Sequence, residues 1–323
     1  MSVIVYTENW DGLFKKQTFE IATYASKLAE MLNTDSIAIS IGNVAEEELG
    51  KLGNHGIKQI ISVTDDKLKH FDGQLYTKVI ADIAVKESAE VLVLANNNCG
   101  KALAPRLSVR LQAAIASAVH ELPESVNPFK IKKRVFSGNA VSLNELKTKT
   151  KILTLAQNSI DIEEMPEAAA IETYTPDLGD LVSAIEVQET EKQTGKVLLT
   201  DAEIVVSGGR GMKSPDNWAP LLELAELLDG ATACSRPVSD EGWRPHEEHT
   251  GQTGKIVAPN VYFAIGISGA TQHLAGVSSS KYIIAINNDK DAPIFEAAQY
   301  GIVGDAAKIL PQLVEAVKEL KSS

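Results

Sequence analysis

The chain has 323 residues, a net charge of −12, 44% hydrophobic residues and 23% charged residues. That length accommodates more than one domain of ordinary size, and the composition is usual for a folded protein with a sizeable core. The acidic balance speaks against a nucleic-acid binder, which needs a basic face. The short basic cluster Lys130, Lys132, Lys133 and Arg134 reads as the solvated face of a strand. Cys99 and Cys234 lie far apart and form no CxxC pair, so neither structural zinc nor a disulfide framework is expected. Met1–Tyr6 reads straight into a strand without a basic leader, and no apolar run approaches membrane-spanning length. The expectation is a cytoplasmic protein without direct membrane insertion.

In chain order, Val3–Tyr6 is a predicted strand. Phe19, Tyr24, Leu28 and Leu32 then recur at helical spacing, with Ile21 and Ala25 on the same side. Ile37–Ile41 is a strand, and Glu46–Glu48 opens a helix where negative charge suits the N-terminal dipole. Gln59–Val63 is a strand, Lys78–Val85 a helix, and Val91–Ala95 a strand apolar at every position. Unbroken apolar runs alternating with helices mark a parallel sheet covered on both faces. Asn96–Lys101 reads as a polar loop with a helix start. Cys99 within it has no His or Asp near it in sequence, so it reads as a loop residue and not a nucleophile.

After Leu111 the pattern changes. Lys130–Val135, Ala140–Leu143 and Lys151–Ala156 are short strands separated by turn residues, with a hairpin signal at Ser137-Gly138-Asn139. These read as antiparallel additions to the first domain. Glu163–Pro176 reads as a loop, and the polar stretch Gln193–Thr200 is the expected domain boundary.

The second half repeats the alternation. Ala202–Val206 is a strand ending in Ser207-Gly208-Gly209-Arg210-Gly211. Ser214-Pro215 starts a helix whose stripe is Trp218, Leu221, Leu222, Ala225 and Leu228. Ala231–Ser235 is a strand broken by Arg236-Pro237. The connection Val238–Pro259 is too long for an ordinary turn and is expected to be functional. Val261–Ile265 and Tyr282–Ile286 are buried-type strands flanking a short Ala270–Ala275 helix, and Leu310, Leu313, Val314, Val317 and Leu320 mark a final helix. The fold class is therefore α/β: two doubly wound domains with largely parallel sheets, the first with antiparallel additions.

Several motifs nearly fit and fail. Gly251-Gln252-Thr253-Gly254-Lys255 has two residues between its glycines where a P-loop needs four, and Ile256 follows the lysine. Ser207–Gly211 lacks the GxGxxG spacing. Gly266-Ile267-Ser268-Gly269-Ala270 lacks the last glycine of a nucleophile elbow, although His273 follows. His246-Glu247-Glu248-His249 carries histidines at i, i+3 in a loop, where a zincin needs i, i+4 on a helix. No metal site and no catalytic residue is expected. What survives is a glycine-rich cradle for a phosphate-bearing ligand, with Arg210 and Arg236 at two strand ends.

Taken together, Ser235-Arg236-Pro237, Gly251–Lys255, Gly266–Gly276, Ala292-Pro293-Ile294-Phe295 and Tyr300–Asp305 closely resemble the α subunit of electron-transfer flavoprotein. The match is dense from Ser207 to Pro311 and looser before it. The resemblance implies an N-terminal domain, residues 1–193, that contacts a β subunit, and a C-terminal domain, residues 194–323, that binds one FAD. It also implies AMP or a second FAD in the β subunit of the heterodimer. Donors would be dehydrogenases such as the acyl-CoA dehydrogenases of fatty acid β-oxidation, and the acceptor an electron-transfer flavoprotein–quinone oxidoreductase.

Carried onto this chain, the resemblance puts Arg236 over the flavin ring with Ser235 beside it. Thr250 and Gly251 lead into Thr253, whose hydroxyl would lie near flavin N5, with the Gln252 backbone close by. His273 would reach the O2 side. Ser268, Gly269, Ala270, Thr271 and Gln272 would hold the ribityl and pyrophosphate, Arg210 the phosphates, and Asn287 and Asp305 the adenosine end. Thr250 stands where an aliphatic residue is common, Thr271 where isoleucine is, and Gln299 where aspartate is. Two further readings stay open: a bifurcating member of the family using NADH, and a stand-alone flavin enzyme or serine hydrolase using Ser268.

Overall fold

A computed structural model describes residues 1–136, 140–183, 185–190 and 197–322. The chain divides into two compact units, Met1–Thr190 and Glu191–Ser323. The expected linker at Gln193–Thr200 begins on residues outside the described set, as does the hairpin signal Ser137-Gly138-Asn139.

The first unit runs β1 (Ser2–Tyr6), β2 (Asn9–Trp10), β3 (Leu13–Phe14), α1 (Lys16–Met31), β4 (Asp35–Ile41), α2 (Glu46–Gly50), β5 (Gln59–Val63), α3 (Gly73–Lys86), β6 (Ala89–Ala95) and α4 (Asn98–Leu111). It continues through β7 (Ala114–Val119), β8 (Ser125–Val126), β9 (Phe129–Val135), β10 (Ala140–Glu145), β11 (Lys151–Leu155) and β12 (Ala170–Thr173). Seven strands form one sheet in the order β12-β5-β4-β1-β6-β11-β7, every neighbouring pair parallel. Side chains alternate across it. Val3 and Val5 of β1 enter one apolar cluster, while Ile4 and Tyr6 enter the other. Helices cover both faces, which is why the strands read as unbroken apolar runs.

Two details differ from the sequence reading. Lys151–Leu155 is not an antiparallel addition but a parallel strand between β6 and β7, buried at all five positions. The antiparallel addition after β7 is β8-β9-β10, and a short antiparallel pair, β2-β3, precedes α1. The helix start expected within Asn96–Lys101 is found at Asn98, where Asn97 caps α4 by accepting the Gly100 amide at 3.0 Å, and Leu103 and Leu107 then bury one helical face. Ala170–Thr173, inside the expected loop, pairs with β5 as an edge strand. Its residues are all exposed, so it left no burial signal in the sequence.

The second unit contains β13 (Ile204–Gly208), α5 (Ala219–Leu227), β14 (Ala231–Cys234), α6 (Arg236–Asp240), β15 (Val261–Ile265), α7 (Thr271–Val277), β16 (Tyr282–Asn287), α8 (Ile294–Ala297), β17 (Tyr300–Val303) and α9 (Ala306–Ser322). Its five-stranded sheet has the order β14-β13-β15-β16-β17 and is parallel throughout. The chain leaves β13 toward β14 on one side and returns to β15 on the other. The strand order therefore reverses between β13 and β15, where an open α/β sheet leaves a crevice at its carboxyl edge.

Candidate functional site: a cavity at the strand reversal of the second unit

The crevice is a cavity of about 520 Å³, lined by residues that follow β13, β14 and β15 and by Asn287, the last residue of β16. After β13, the Gly209 amide donates to the Ile265 carbonyl at 2.8 Å and the Gly211 amide to the Gly266 carbonyl at 3.0 Å. These bonds tie the two turns together. A Cβ on Gly211 would sit 2.6 Å from Gly266 Cα, so backbone alone fits there. Gly266 has φ +64°, a left-handed conformation that suits glycine.

After β14, Ser235 is the N-cap of α6, and Pro237 sits in the first turn, where no N–H is required. The Arg236 and Arg210 side chains are 63% and 68% exposed, and each has an acidic neighbour, Asp240 at 3.3 Å and Glu241 at 3.9 Å. Solvent screens both pairs, and the guanidiniums keep donors for another anion.

The long connection after α6 is pinned on both sides. The Thr250 amide donates to Cys234 at 3.0 Å, the Gln252 amide to the Gln272 carbonyl at 2.7 Å, and the Val257 amide to Gly276 at 2.9 Å. Arg244 makes a bidentate pair with Glu248 at 2.7 and 2.6 Å, with its guanidinium 5.9 Å from the centre of the Trp218 ring. Thr253 and Gln252 stand exposed at the cavity rim.

Behind the rim lies a buried polar group. The Tyr262 hydroxyl is 3.0 Å from His273 Nε2 and 3.1 Å from Thr250 Oγ1. Burial lowers the His273 pKa to about 4, with the Thr250 backbone pulling weakly the other way. The same desolvation lowers His249, helped by His246 and Arg236. The Nδ1 atoms of both His249 and His273 are buried without a hydrogen-bond partner. Asn287 donates to the Ile267 carbonyl at 2.8 Å and accepts the Asp289 amide at 3.0 Å, so its side chain braces the turn that lines the cavity.

The cavity brings together Arg210, Ser235, Arg236, Thr250, Gly251, Gln252, Thr253, Ser268, Gly269, Ala270, Gln272, His273 and Asn287. Thr271 and Asp305 are outside its lining. Asp305 accepts the Ala307 amide at 3.1 Å at the start of α9 and pairs with Lys213 at 2.8 Å, a pairing that lowers its pKa. Gly211, Pro237, His249, Gly266 and Ile267 also line it. His249, which the sequence placed only in a loop with the wrong spacing for a zincin, is 3% exposed. Its parallel bridge to Cys234 left no signal in the sequence.

Cys234 is fully buried at the end of β14, and burial pushes its thiol up to about 12. In the first unit, burial and Glu8 push Cys99 up to about 12 as well. Neither thiol is a nucleophile at neutral pH. Among the described residues, no cluster of three or more His, Cys, Asp or Glu side chains could hold a metal ion. No helix among them is long and apolar enough to cross a membrane.

A family model described as the electron transfer flavoprotein FAD-binding domain matches residues 198–278, and one described as the electron transfer flavoprotein domain matches residues 3–178. The electron transfer flavoprotein subunit alpha of Bacillus subtilis is 35% identical over 322 residues, covering 98% of each chain. The chain belongs to the electron-transfer flavoprotein α-subunit family. An acryloyl-CoA reductase electron transfer subunit beta from Anaerotignum propionicum is 31% identical, covering 99% of this chain and 96% of that one. Protein FixB of Clostridium saccharobutylicum is 32% identical, covering 99% and 97%. Membership gives the chain a role in electron transfer, a flavin-binding second unit and a β-subunit partner.

The residues of the cavity fit a flavin dinucleotide. The Gly211–Gly266 crossing keeps both turns free of side chains where they line the cavity. Two exposed guanidiniums suit phosphates or an electron-rich ring. The unpartnered ring nitrogens mark polar positions within an otherwise hydrogen-bonded wall.

Proposed function

We propose that this cavity holds FAD and that the chain is the FAD-carrying half of a heterodimeric electron shuttle. The observation that supports this best is the convergence of residues from four separate strand ends on one cavity at the strand reversal. Bound FAD would supply the redox chemistry, accepting and releasing electrons one or two at a time. The chain's own residues bind and tune it. Arg236, with Ser235 at the same turn, would favour negative charge on the ring. Thr253 and the Gln252 backbone would border its redox edge, His273 its carbonyl side, and the Ser268–Gln272 turn and Arg210 the phosphates. Asn287 would act at the adenosine end by bracing Ile267, and Asp305 and Thr271 from outside the lining.

The boundary between a partner-binding first unit and a flavin-binding second unit falls in this reading near residue 193. The β subunit would carry AMP or a second FAD. Acyl-CoA dehydrogenases and related dehydrogenases would donate electrons, and a quinone oxidoreductase would accept them, in the cytoplasm. No substrate turnover by the chain itself is part of this reading. The His273 Nε2 atom is engaged by Tyr262, which leaves Ser268 without a base at that nitrogen and disfavours hydrolysis. The test is the visible spectrum of the complex with its β subunit. Bleaching on addition of a dehydrogenase with its acyl-CoA substrate supports the shuttle, and turnover of a small substrate by the complex alone contradicts it.

A second reading, left open by the family resemblance, is a bifurcating electron-transfer flavoprotein; relatives that include an acryloyl-CoA reductase electron transfer subunit and a protein named FixB keep it in view. Electrons would then come from NADH through a second flavin in the β subunit. Two flavins per heterodimer and reduction by NADH would favour it.

A further inference from the structure

We propose that His249 is a positioning residue: its imidazole is the platform on which the Gly251–Gly254 turn is folded, and through that turn it sets where Thr253 meets the ligand. The effect on the ligand rests on the cavity being the flavin site. The platform itself stands on geometry. His246-Glu247-Glu248-His249 does not fit a metal motif, and the fold gives its spacing another use. The short helical turn His246–Glu248 leads directly into His249, which is 3% exposed. The two imidazoles pack together, with ring centroids 5.5 Å apart and 58° between their planes. Arg244 holds Glu248 at 2.7 and 2.6 Å and so anchors the segment that carries both rings.

The turn closes on its own backbone. The Lys255 amide donates to the His249 carbonyl at 2.8 Å, the Gly251 amide to the Lys255 carbonyl at 3.2 Å, and the Gly254 amide to the Gly251 carbonyl at 3.1 Å. The two ends of the turn rest on different supports. Helix α7 holds the first end. The Gln252 amide donates to the Gln272 carbonyl at 2.7 Å, and a Cβ on Gly276 would lie 2.4 Å from Gly251 Cα. The His249 ring meets the second end, next to Thr253. A Cβ on Gly254 would lie 2.8 Å from both Cγ and Nδ1 of the ring, and 2.4 Å from the His249 carbonyl oxygen. The ring also reaches back to the first end, with Nε2 3.6 Å from the position a Gly251 Cβ would take. The imidazole therefore spans the turn from one glycine to the other.

Gly254 is not in the left-handed region, so close contact and not backbone freedom requires glycine there. Nδ1 of His249 is buried without a hydrogen-bond partner, so the ring supports the turn by its bulk. A neutral side chain of similar volume should then replace it, and truncation should not. Truncation leaves a void, and the atoms lining that void lose their contacts. Here the lining is Gly254, and Thr253 precedes it. The Thr253 end should loosen, while Val257, whose amide donates to Gly276 at 2.9 Å beyond the turn, should not. The size expected is about tenfold in local opening, within the range for a buried truncation.

The test uses the full chain in complex with its β subunit and has two readouts. The first is amide hydrogen exchange after removal of any flavin. His249→Ala should speed exchange at Gly254 and Lys255 about tenfold with Val257 unchanged, His249→Asn should speed it less, and His249→Gln should restore the wild-type rates. Wild-type rates in His249→Ala, equal acceleration at Val257, or a glutamine variant as loose as the alanine one would each overturn the platform. The second readout is the nitrogen resonance of FAD isotope-labelled at N5. Thr253→Val should move it and His249→Ala should move it the same way, and the double variant should match Thr253→Val alone. Fully additive shifts would overturn action through Thr253. A resonance unmoved by Thr253→Val, or a complex that takes up no FAD, would overturn the placement of Thr253 at the flavin, and the exchange rates would still decide the platform.

Discussion

Gly211 and Gly266 cross so closely that a side chain on either would strike the backbone of the other. The Gly211 amide bonds to the Gly266 carbonyl at 3.0 Å, and a Cβ on Gly266 would lie 2.9 Å from Gly211 Cα. This contact fastens the turn after β13 to the turn after β15 and sets the floor of the cavity. Gly266→Ala should therefore cost about 1–2 kcal/mol for the left-handed backbone alone, with the clash in addition. The expected outcome is a lowered melting temperature and loss of copurified flavin absorbance. Full flavin content in this variant would contradict the placement of the ligand.

Arg236 tests the electrostatic part of the reading. At ~4 Å a unit charge pair is worth about 4 kcal/mol at an effective dielectric of ~20 and about 1 kcal/mol in water. The side chain is 63% exposed, so the lower part of that range applies. Since ~1.4 kcal/mol corresponds to about 59 mV for one electron, Arg236→Ala should lower the flavin potential by tens of millivolts and weaken FAD retention. Arg236→Lys should restore part of the potential. An unchanged potential in the alanine variant would remove Arg236 from the ring.

The pH dependence of stability follows from His273. Its pKa falls from an ordinary 6.5 to about 4 on folding. Between those values the unfolded chain binds more protons, so stability should fall as pH drops from 6.5 toward 4 and change no further below. A difference of that size is worth about 3 kcal/mol at most. His249 shifts in the same direction and adds to the slope. Denaturant titrations across this window should show a shallower slope in His273→Gln. An identical slope would mean that the ring is not buried neutral.

The Arg244–Glu248 pair anchors the long connection and is separate from the cavity lining. Both side chains are partly buried, 20% and 14% exposed. Arg244→Ala should destabilise the second unit by about 1–3 kcal/mol, since the carboxylate loses its charge-assisted bonds. The flavin potential should stay near wild type once FAD is saturating. A large potential shift would show that the loop itself tunes the ring.

The sequence was most informative where burial is two-sided. Val91–Ala95 and Val261–Ile265 are parallel strands, as their apolar runs imply. It misled at Lys151–Leu155, because the short strands and turn residues before it suggested a continuing meander. The burial of Ile152, Leu153 and Leu155 on both faces was the better signal. The exposed edge strands Ala170–Thr173 and Tyr300–Val303 had no periodicity to read, since pairing on one side holds them with their side chains in solvent. At the site, the glycine turns and Arg236 were legible as local motifs. His249 and the Thr250–Tyr262–His273 chain were not, because those contacts join residues from three segments that meet only in the folded sheet.

The central claim is that the second unit carries a flavin that passes electrons between partner proteins. The most direct measurement is the visible absorbance of the purified heterodimer, first alone, then with an acyl-CoA dehydrogenase, then with that enzyme's substrate added. One flavin in this chain, bleached only at the last addition, is the expected result. A colourless complex, or a flavin that a small substrate reduces without the dehydrogenase, would contradict it.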